Sequence, residues 1–358
     1  MSSAIGCSKL AGLLLGAAVG DAIGLPFEGL SPRRVARRLR GRALDHRLLL
    51  GRGMTSDDTE HACLVAQSLL EHPADPAGFR RALARRLRWW LAGIPAGIGL
   101  ATLRATTRLW LGWSPERSGV ASAGNGPAMR APLLGAYLQD RQMLVEFVRV
   151  STRLTHTDPR AEQGALVAAI AARRAVSTPA GAPINRGEAL EEVRSAATNA
   201  QLAAALELAA NALERGDPAA RLVADLGSRR GVSGYVVHTV PVALYLWLAH
   251  EGNLREAVSE AVRLGGDTDT VAALVGALCG ATHGEPAIPA DWLAGLWEWP
   301  RTPNWMLELA DRLSRQFQAD SPDGVGPAPL FWPGLLPRNA LFAAVVFAHG
   351  FRRLLPPY

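Results

Sequence analysis

Two short acidic segments carry residue types that could do chemistry together. Thr55-Ser56-Asp57-Asp58-Thr59-Glu60-His61 and Gly265-Gly266-Asp267-Thr268-Asp269-Thr270 each set a pair of carboxylates beside a hydroxyl. Helix capping explains one oxygen-bearing side chain at a helix start, because Asp, Ser and Thr satisfy free N–H groups and favour the dipole. It explains two acids plus a hydroxyl, occurring twice, poorly. Carboxylates and hydroxyls without a nearby cysteine or an HxxxH spacing are the ligand set of Mg²⁺, Mn²⁺ or Ca²⁺ rather than zinc. If Glu28 joins Asp57, Asp58, Asp267 and Asp269, their formal negative charges repel one another unless cations or protons neutralise them. Two divalent ions would leave about −1. The many arginines of the chain are the other possible source of positive charge.

Three further segments stand out: Gly20–Gly29, Gly124-Asn125-Gly126-Pro127-Ala128-Met129-Arg130, and Thr155-His156-Thr157-Asp158-Pro159. Asp21 reads as a structural acid bonding a glycine turn. Asn125 between two glycines fits a left-handed turn, and such turns also expose N–H groups to phosphates. Arg130 follows closely enough to support an anion there. His156 and Asp158 form either a polar pocket pair or a helix start with Pro159 in the first turn. His61 is as compatible with a structural role as with a catalytic one.

These residues need a scaffold, and the pattern that supplies it is helical. Apolar periodicity predicts helices over 8–19, 59–70, 76–91, 97–111, 129–138, 142–154, 159–176, 188–197, 201–215, 235–249, 254–264, 270–280 and 304–317. No series of alternating strands appears, so the fold class is all-α, a domain of a dozen or so helices. The five unusual segments fall where one predicted helix ends or the next begins, which is where a helical scaffold presents chemistry. Residues 1–318 form this domain. Residues 319–358, a Pro/Gly-rich arm and a helix over 339–355, read as an appendage rather than an independent domain.

Composition narrows the partners. Lys9 is the only lysine among 38 basic residues, against 32 acidic ones. The arginines of 33–47 are spaced as a solvated helical face without interleaved aromatics, so nucleic acid is not expected. Cys7, Cys63 and Cys279 sit in apolar helical contexts and suit reduced core thiols. The apolar stretch 10–20 is ended by Asp21 without a small-residue cleavage site. The uncharged run 231–249 contains Ser233, His238, Thr239 and Pro241, which favours a buried helix over a membrane span. A cytoplasmic chain without membrane contact is expected.

In this order and at these separations, the five segments resemble the ADP-ribosylglycohydrolase family, which includes the dinitrogenase reductase-activating glycohydrolase. The resemblance covers about 10–281, with Gly231-Val232-Ser233-Gly234-Tyr235 as a further matching loop. It implies the family's all-α fold, a compact orthogonal multi-helix domain, a binuclear Mg²⁺ (or Mn²⁺) centre, and hydrolysis of the bond between C1″ of ADP-ribose and a protein side chain or small-molecule acceptor. By the same resemblance, Ser56, Asp57, Asp58, Asp267, Asp269 and Thr270 are metal ligands, and Glu28, Asp57 and Asp58 are candidates for the catalytic base. Asn125, Gly126, Met129, Arg130, His156, Gly231, Ser233, Gly234 and Tyr235 are expected to bind substrate. Pro127 stands where small residues are common in relatives, stiffening that loop and removing one N–H. A protein of this fold that binds ADP-ribose without hydrolysing it is the alternative. Two other enzyme classes fit less well. His61 breaks the DDxxD pattern of isoprenoid diphosphate enzymes, and Thr157 interrupts the His-Asp pair of an HD-type phosphohydrolase.

Overall fold

A helix that is apolar on all sides must be surrounded by protein. Cys7–Gly24 (α1) is such a helix: every residue from Leu10 to Gly24 is buried. Gly12, Gly16, Gly20 and Gly24 recur every four residues, so they line one face. A Cβ at any of them would fall on the backbone of a second helix, at Gly280, Gly276, Ala272 and Thr268 respectively. The descending order makes the two helices antiparallel, packed backbone to backbone. The computed structural model describes residues 6–179, 181–318 and 325–352.

Along the chain follow Pro32–Leu39 (α2), Asp57–Glu71 (α3), Pro76–Ala92 (α4), Leu100–Trp110 (α5), Gly126–Arg130 (α6), Pro132–Tyr137 (α7), Arg141–Arg153 (α8) and Pro159–Ser177 (α9). Arg186–Ala196 (α10), Ala200–Arg215 (α11), Ala219–Asp225 (α12), Val236–Ala249 (α13) and Leu254–Leu264 (α14) come next. Thr268–His283 (α15, the partner of α1), Ala290–Gly295 (α16), Pro303–Gln318 (α17) and Leu335–Arg352 (α18) complete the series. Among the described residues no sheet forms, so the all-α expectation holds. The only lysine ties two of these helices together. Lys9 Nζ donates to Val176 O at 2.9 Å and to Thr178 O, a cation at the carbonyl-rich end of α9.

Several boundaries differ from expectation, each for a local reason. Gly20–Gly24 belongs to α1 rather than to a turn, because its glycines serve close packing. The predicted helix 129–138 divides at Pro132, which has no N–H to continue the ladder. Residues 97–99 precede α5 as a loop. The arginine segment is helical only to Leu39; Arg40 turns left-handed with φ 49°. Arg33, Arg34, Arg37, Arg40 and Arg42 are exposed, while Arg38 and Arg47 are partly covered. The predicted terminal helix appears as α18, which starts at Leu335 with Pro337 in its first turn; residues 353–355 lie outside the described residues.

Two segments, Cys7–Phe27 and Trp332–Arg352, are long and apolar enough to cross a membrane by length and composition. The first is buried entirely within the protein and the second by about a third. The uncharged run anticipated as a buried helix is α13, whose Val236 to Leu248 are almost all buried. Cys63 and Cys279 are free and buried; Cys7 is free and partly buried.

Candidate active site

The contact between α1 and α15 sets the end of one helix beside the start of the other. Asp21, near the end of α1, is fully buried. Its carboxylate accepts from Ser56 N (3.0 and 2.9 Å), Thr59 N (3.2 Å) and Thr59 Oγ1 (2.6 Å). It thereby satisfies free donors at the start of α3, a role that falls to a neighbouring helix instead of the cap residue alone. Burial pushes Asp21 up to about 7. Asp21 is a structural acid, as expected, but inside a helix and not at a turn.

Ser56 is the cap of α3, its Oγ accepting from Asp58 N at 3.3 Å. Capping therefore accounts for Ser56 and leaves Asp57 and Asp58 over. At α15 the cap residue is Asp267, whose side chain makes no capping bond. It instead accepts from Asn125 Nδ2 at 2.6 Å. Ser56 Oγ and Thr270 Oγ1 both donate to Asp58 Oδ2, each at 3.2 Å, so the two acidic segments meet. Asp58 Oδ1 and Asp269 Oδ1 are buried with no hydrogen-bond partner. Burial first, and the neighbouring carboxylates second, hold Asp57, Asp58 and Asp269 well above the usual carboxylate range.

Gly265 and Gly266 stitch three segments together. Gly29 N donates to Gly266 O, Gly266 N to Leu30 O, and Asp267 N to Val232 O, at 2.7–2.8 Å. Gly266 has φ 86°, and a Cβ there would strike the Val232 backbone, so only glycine fits. This brings the Glu28 loop and the Gly231–Gly234 loop to the acidic centre. On the other side, Asn125 N donates to Gly234 O at 3.0 Å, and Asn125 Nδ2 also reaches Thr239 Oγ1. Asn125 is right-handed, with φ −81°, and not the left-handed turn expected. Pro127 occupies the first turn of α6, where its missing N–H costs nothing.

The result is a cleft of about 640 Å³. Glu28, Asp57, Asp267, Asp269 and Thr270 line one part, and Asn125, Gly126, Met129, His156, Gly231, Ser233 and Gly234 line another. Ser56 and Asp58 lie buried behind it. Two expected substrate residues stand elsewhere. Arg130 is fully buried, donating to Ser151 O (2.7 Å), Ser151 Oγ (3.1 Å) and Thr155 Oγ1 (2.8 Å), and its Nη1 meets His61 Nδ1 at 3.3 Å. It supports no anion in the cleft. Tyr235 caps α13 outside the lining, its hydroxyl accepting from Arg160 and donating to Gln201 at 3.0 Å.

Arg130 instead sets the state of His156. The Thr155 hydroxyl accepts from Arg130 and lies 2.9 Å from His156 Nδ1, against 3.5 Å to Thr152 O. His156 Nε2 lies beside Gly124, itself part of the cleft wall. Burial, and then the Arg130 charge, lower His156 to about 3, so the ring is neutral. Asp158 plays the alternative anticipated for it, capping α9 through Arg160 N with Pro159 in the first turn. His61 is wholly buried against Trp90 and is structural.

Sequence reading missed part of the cleft wall: Gly97, Gly99, Leu100, Thr102, Ser122, Ser228 and Arg230. Arg230 was findable, since it adjoins the matching Gly231 loop and offers the only lining cation. The loop 97–99 carried no signal beyond its two glycines.

Residues 2–323 match the sequence profile of the ADP-ribosylglycohydrolase family. The chain belongs to that family. An ADP-ribosylglycohydrolase-related protein complex of known structure superposes with a TM-score of 0.65 at 30% identity, covering 87% of this chain and 98% of its own. An uncharacterized protein of Archaeoglobus fulgidus is 35% identical over 313 residues, 85% of this chain and 95% of the relative. The ADP-ribosylhydrolase ARH3 of Xenopus tropicalis is 28% identical, with 88% and 99% coverage. The ADP-ribosyl-[dinitrogen reductase] glycohydrolase of Rhodospirillum rubrum is 26% identical, with 80% and 89%. Membership of the ADP-ribosylglycohydrolase family makes this chain a hydrolase of ADP-ribose linkages.

Proposed function

We propose that the cleft hydrolyses the C1″ glycosidic bond between ADP-ribose and a protein side chain or small-molecule acceptor, and that it does so with two divalent cations, Mg²⁺ or Mn²⁺. The observation that carries this reading is the pair of buried, partnerless carboxylate oxygens on Asp58 and Asp269, set among acids that repel one another. Unpaired buried oxygens of this kind are costly unless something positive meets them. The donors are all oxygen, which suits a hard cation. Among the described residues no three His, Cys, Asp or Glu side chains converge on one point. Each ion would then be held by one or two carboxylates, from Asp57, Asp58, Asp267 and Asp269. The Ser56 and Thr270 hydroxyls, water and the substrate would complete its sphere, which is the way Mg²⁺ is commonly bound. Bound there, the ions would supply charge neutralisation, orientation of ribose hydroxyls and polarisation of a water.

The chain's own residues divide the remaining work. Glycosidic cleavage passes through an oxocarbenium-like state, and a carboxylate must take a proton from the attacking water. Glu28 is exposed at the cleft edge, so a proton it accepts passes readily to solvent. Asp57, partly buried, is the second candidate. His156 offers a neutral ring nitrogen to a polar group of the nucleotide. Asn125 fixes Asp267 while its backbone joins the Gly231–Gly234 loop. Arg230, in the cleft wall, would meet the diphosphate.

The test is release of free ADP-ribose from arginine-, serine- and ester-linked substrates in the presence of Mg²⁺. Asp57→Asn and Asp269→Asn are each expected to remove nearly all turnover. Unchanged turnover in either, or full activity in EDTA, would overturn the metal reading. Calorimetric binding of ADP-ribose with no turnover of any substrate would mark a binder instead.

A further inference from the structure

A second cavity, of about 470 Å³, opens between α3, α4, residues 327–332 and the starts of α17 and α18, and shares no lining residue with the cleft. Its size is that of a small-molecule site. Trp89, Trp90, Trp305 and Trp332 line it. Trp90, Trp305 and Trp332 use their indole N–H groups elsewhere, on Glu60 Oε2, Pro329 O and Trp89 O. What these rings present to the cavity is apolar surface. The charged lining is of one sign: Arg85, Arg86 and Arg301, with no Asp or Glu among the lining residues. Arg85 and Arg86 share a single acid, Glu71.

Arg301 is the deepest of the three, only 3% exposed. Its Nη1 donates to Glu60 Oε1 at 2.7 Å, and its Nε is buried with no partner. Glu60 is itself divided, because Arg338 Nη1 also approaches the same oxygen at 3.4 Å. Arg338 also has Glu298, so Arg85, Arg86, Arg301 and Arg338 face three acids, Glu60, Glu71 and Glu298, and the surplus cation favours an incoming anion.

We propose that this cavity binds an amphipathic monocarboxylate, its apolar chain or ring packed on the indoles and its carboxylate on Arg301. The reading is independent of the chemistry in the cleft. Intrinsic tryptophan fluorescence of the full chain, titrated with octanoate, 1-octanol and octylamine, tests it. Octanoate is expected to give a saturable change, 1-octanol to bind at least tenfold more weakly, and octylamine to give none. Arg301→Gln should weaken octanoate tenfold or more and leave 1-octanol unchanged. Because Arg301 also pairs with Glu60, two variants away from that pair keep the test sound should this one fail to fold. Arg85→Gln at the rim should weaken octanoate about threefold, and Leu64→Trp, which fills the cavity, should abolish the saturable signal. The proposal is overturned by equal affinity for alcohol and carboxylate, by an octanoate signal that survives Leu64→Trp, or by no saturation up to the solubility of octanoate.

Discussion

At the residue scale, the acidic centre and the histidine beside it titrate in opposite senses. Asp57, Asp58 and Asp269 are raised in the folded chain, so without a cation it holds protons that the unfolded chain gives up near pH 4. Their contribution to stability is present below that pH and is lost as pH rises through the folded values. His156 is lowered to about 3, so its contribution is present above the unfolded value near 6.5 and is lost as pH falls toward 3. The expectation is that Asp58→Asn raises the thermal midpoint of EDTA-treated protein at pH 7.5, by an amount equivalent to about 1–3 kcal/mol. The gain should vanish near pH 4, where the wild-type carboxyl is protonated, and the variant should lose the stabilisation that Mg²⁺ gives the parent. A variant no more stable than wild type at pH 7.5 would mean that the carboxylate is not repelled there.

At the element scale, α1 and α15 act as one unit. Their glycine face allows the antiparallel approach that puts Gly24 beside Asp269, while Asp21 on α1 bonds Ser56 ahead of α3. A methyl group at Gly276 would overlap the carbonyl of Gly16, and neither backbone can yield alone. Gly276→Ala should therefore destabilise the protein by about 1–3 kcal/mol or more, read from the urea midpoint. It should also lower activity, because Asp269 rides on α15 while Asp21, which holds the start of α3, rides on α1. Ordinary helix propensity runs the other way, since alanine is the better helix former. A variant more stable than wild type would show that the interface has slack.

At the scale of the whole molecule, the C-terminal helix reaches the back of the cleft. Arg338 on α18, buried, donates to Thr55 O at 2.6 Å and to Glu298 Oε1 at 2.5 Å; Glu298 in turn accepts from Thr55 N at 2.9 Å. The residue before Ser56 is thus held on both sides of its peptide by groups from distant parts of the chain. Asn339 Nδ2 adds a bond to Gly93 O, and Phe342 and Val345 pack on Leu25, Leu48 and Met54. Arg338→Leu leaves Glu298 buried and unpaired, which should cost about 3–5 kcal/mol. Arg338→Leu with Glu298→Leu should recover much of that loss in urea unfolding while activity stays reduced. A single variant as stable as the parent would show that α18 is not coupled to the start of α3.

Much of this was written locally. Helical periodicity, the paired acids with their hydroxyls, the glycine-bounded Asn125 and the His156 segment are all short-range patterns, and each names a chemical type without a partner. Arg130 shows the limit. Its position one turn after Asn125 suggested an anion, yet the helix turns it inward, where it polarises His156 through Thr155. Asp21 shows the same limit from the other side, since its glycines suited a turn until α15 supplied a surface for them to pack on.

What the sequence determined by itself was the all-α class, the family and the oxygen-rich character of the site, because composition and spacing are local. Which carboxylate oxygens lie buried and orphaned was decided only by tertiary structure, as were the neutral state of His156 and the reach of residues 338–345 to the start of α3. Each of these depends on burial and on contacts between residues far apart in the chain, and no local pattern encodes them.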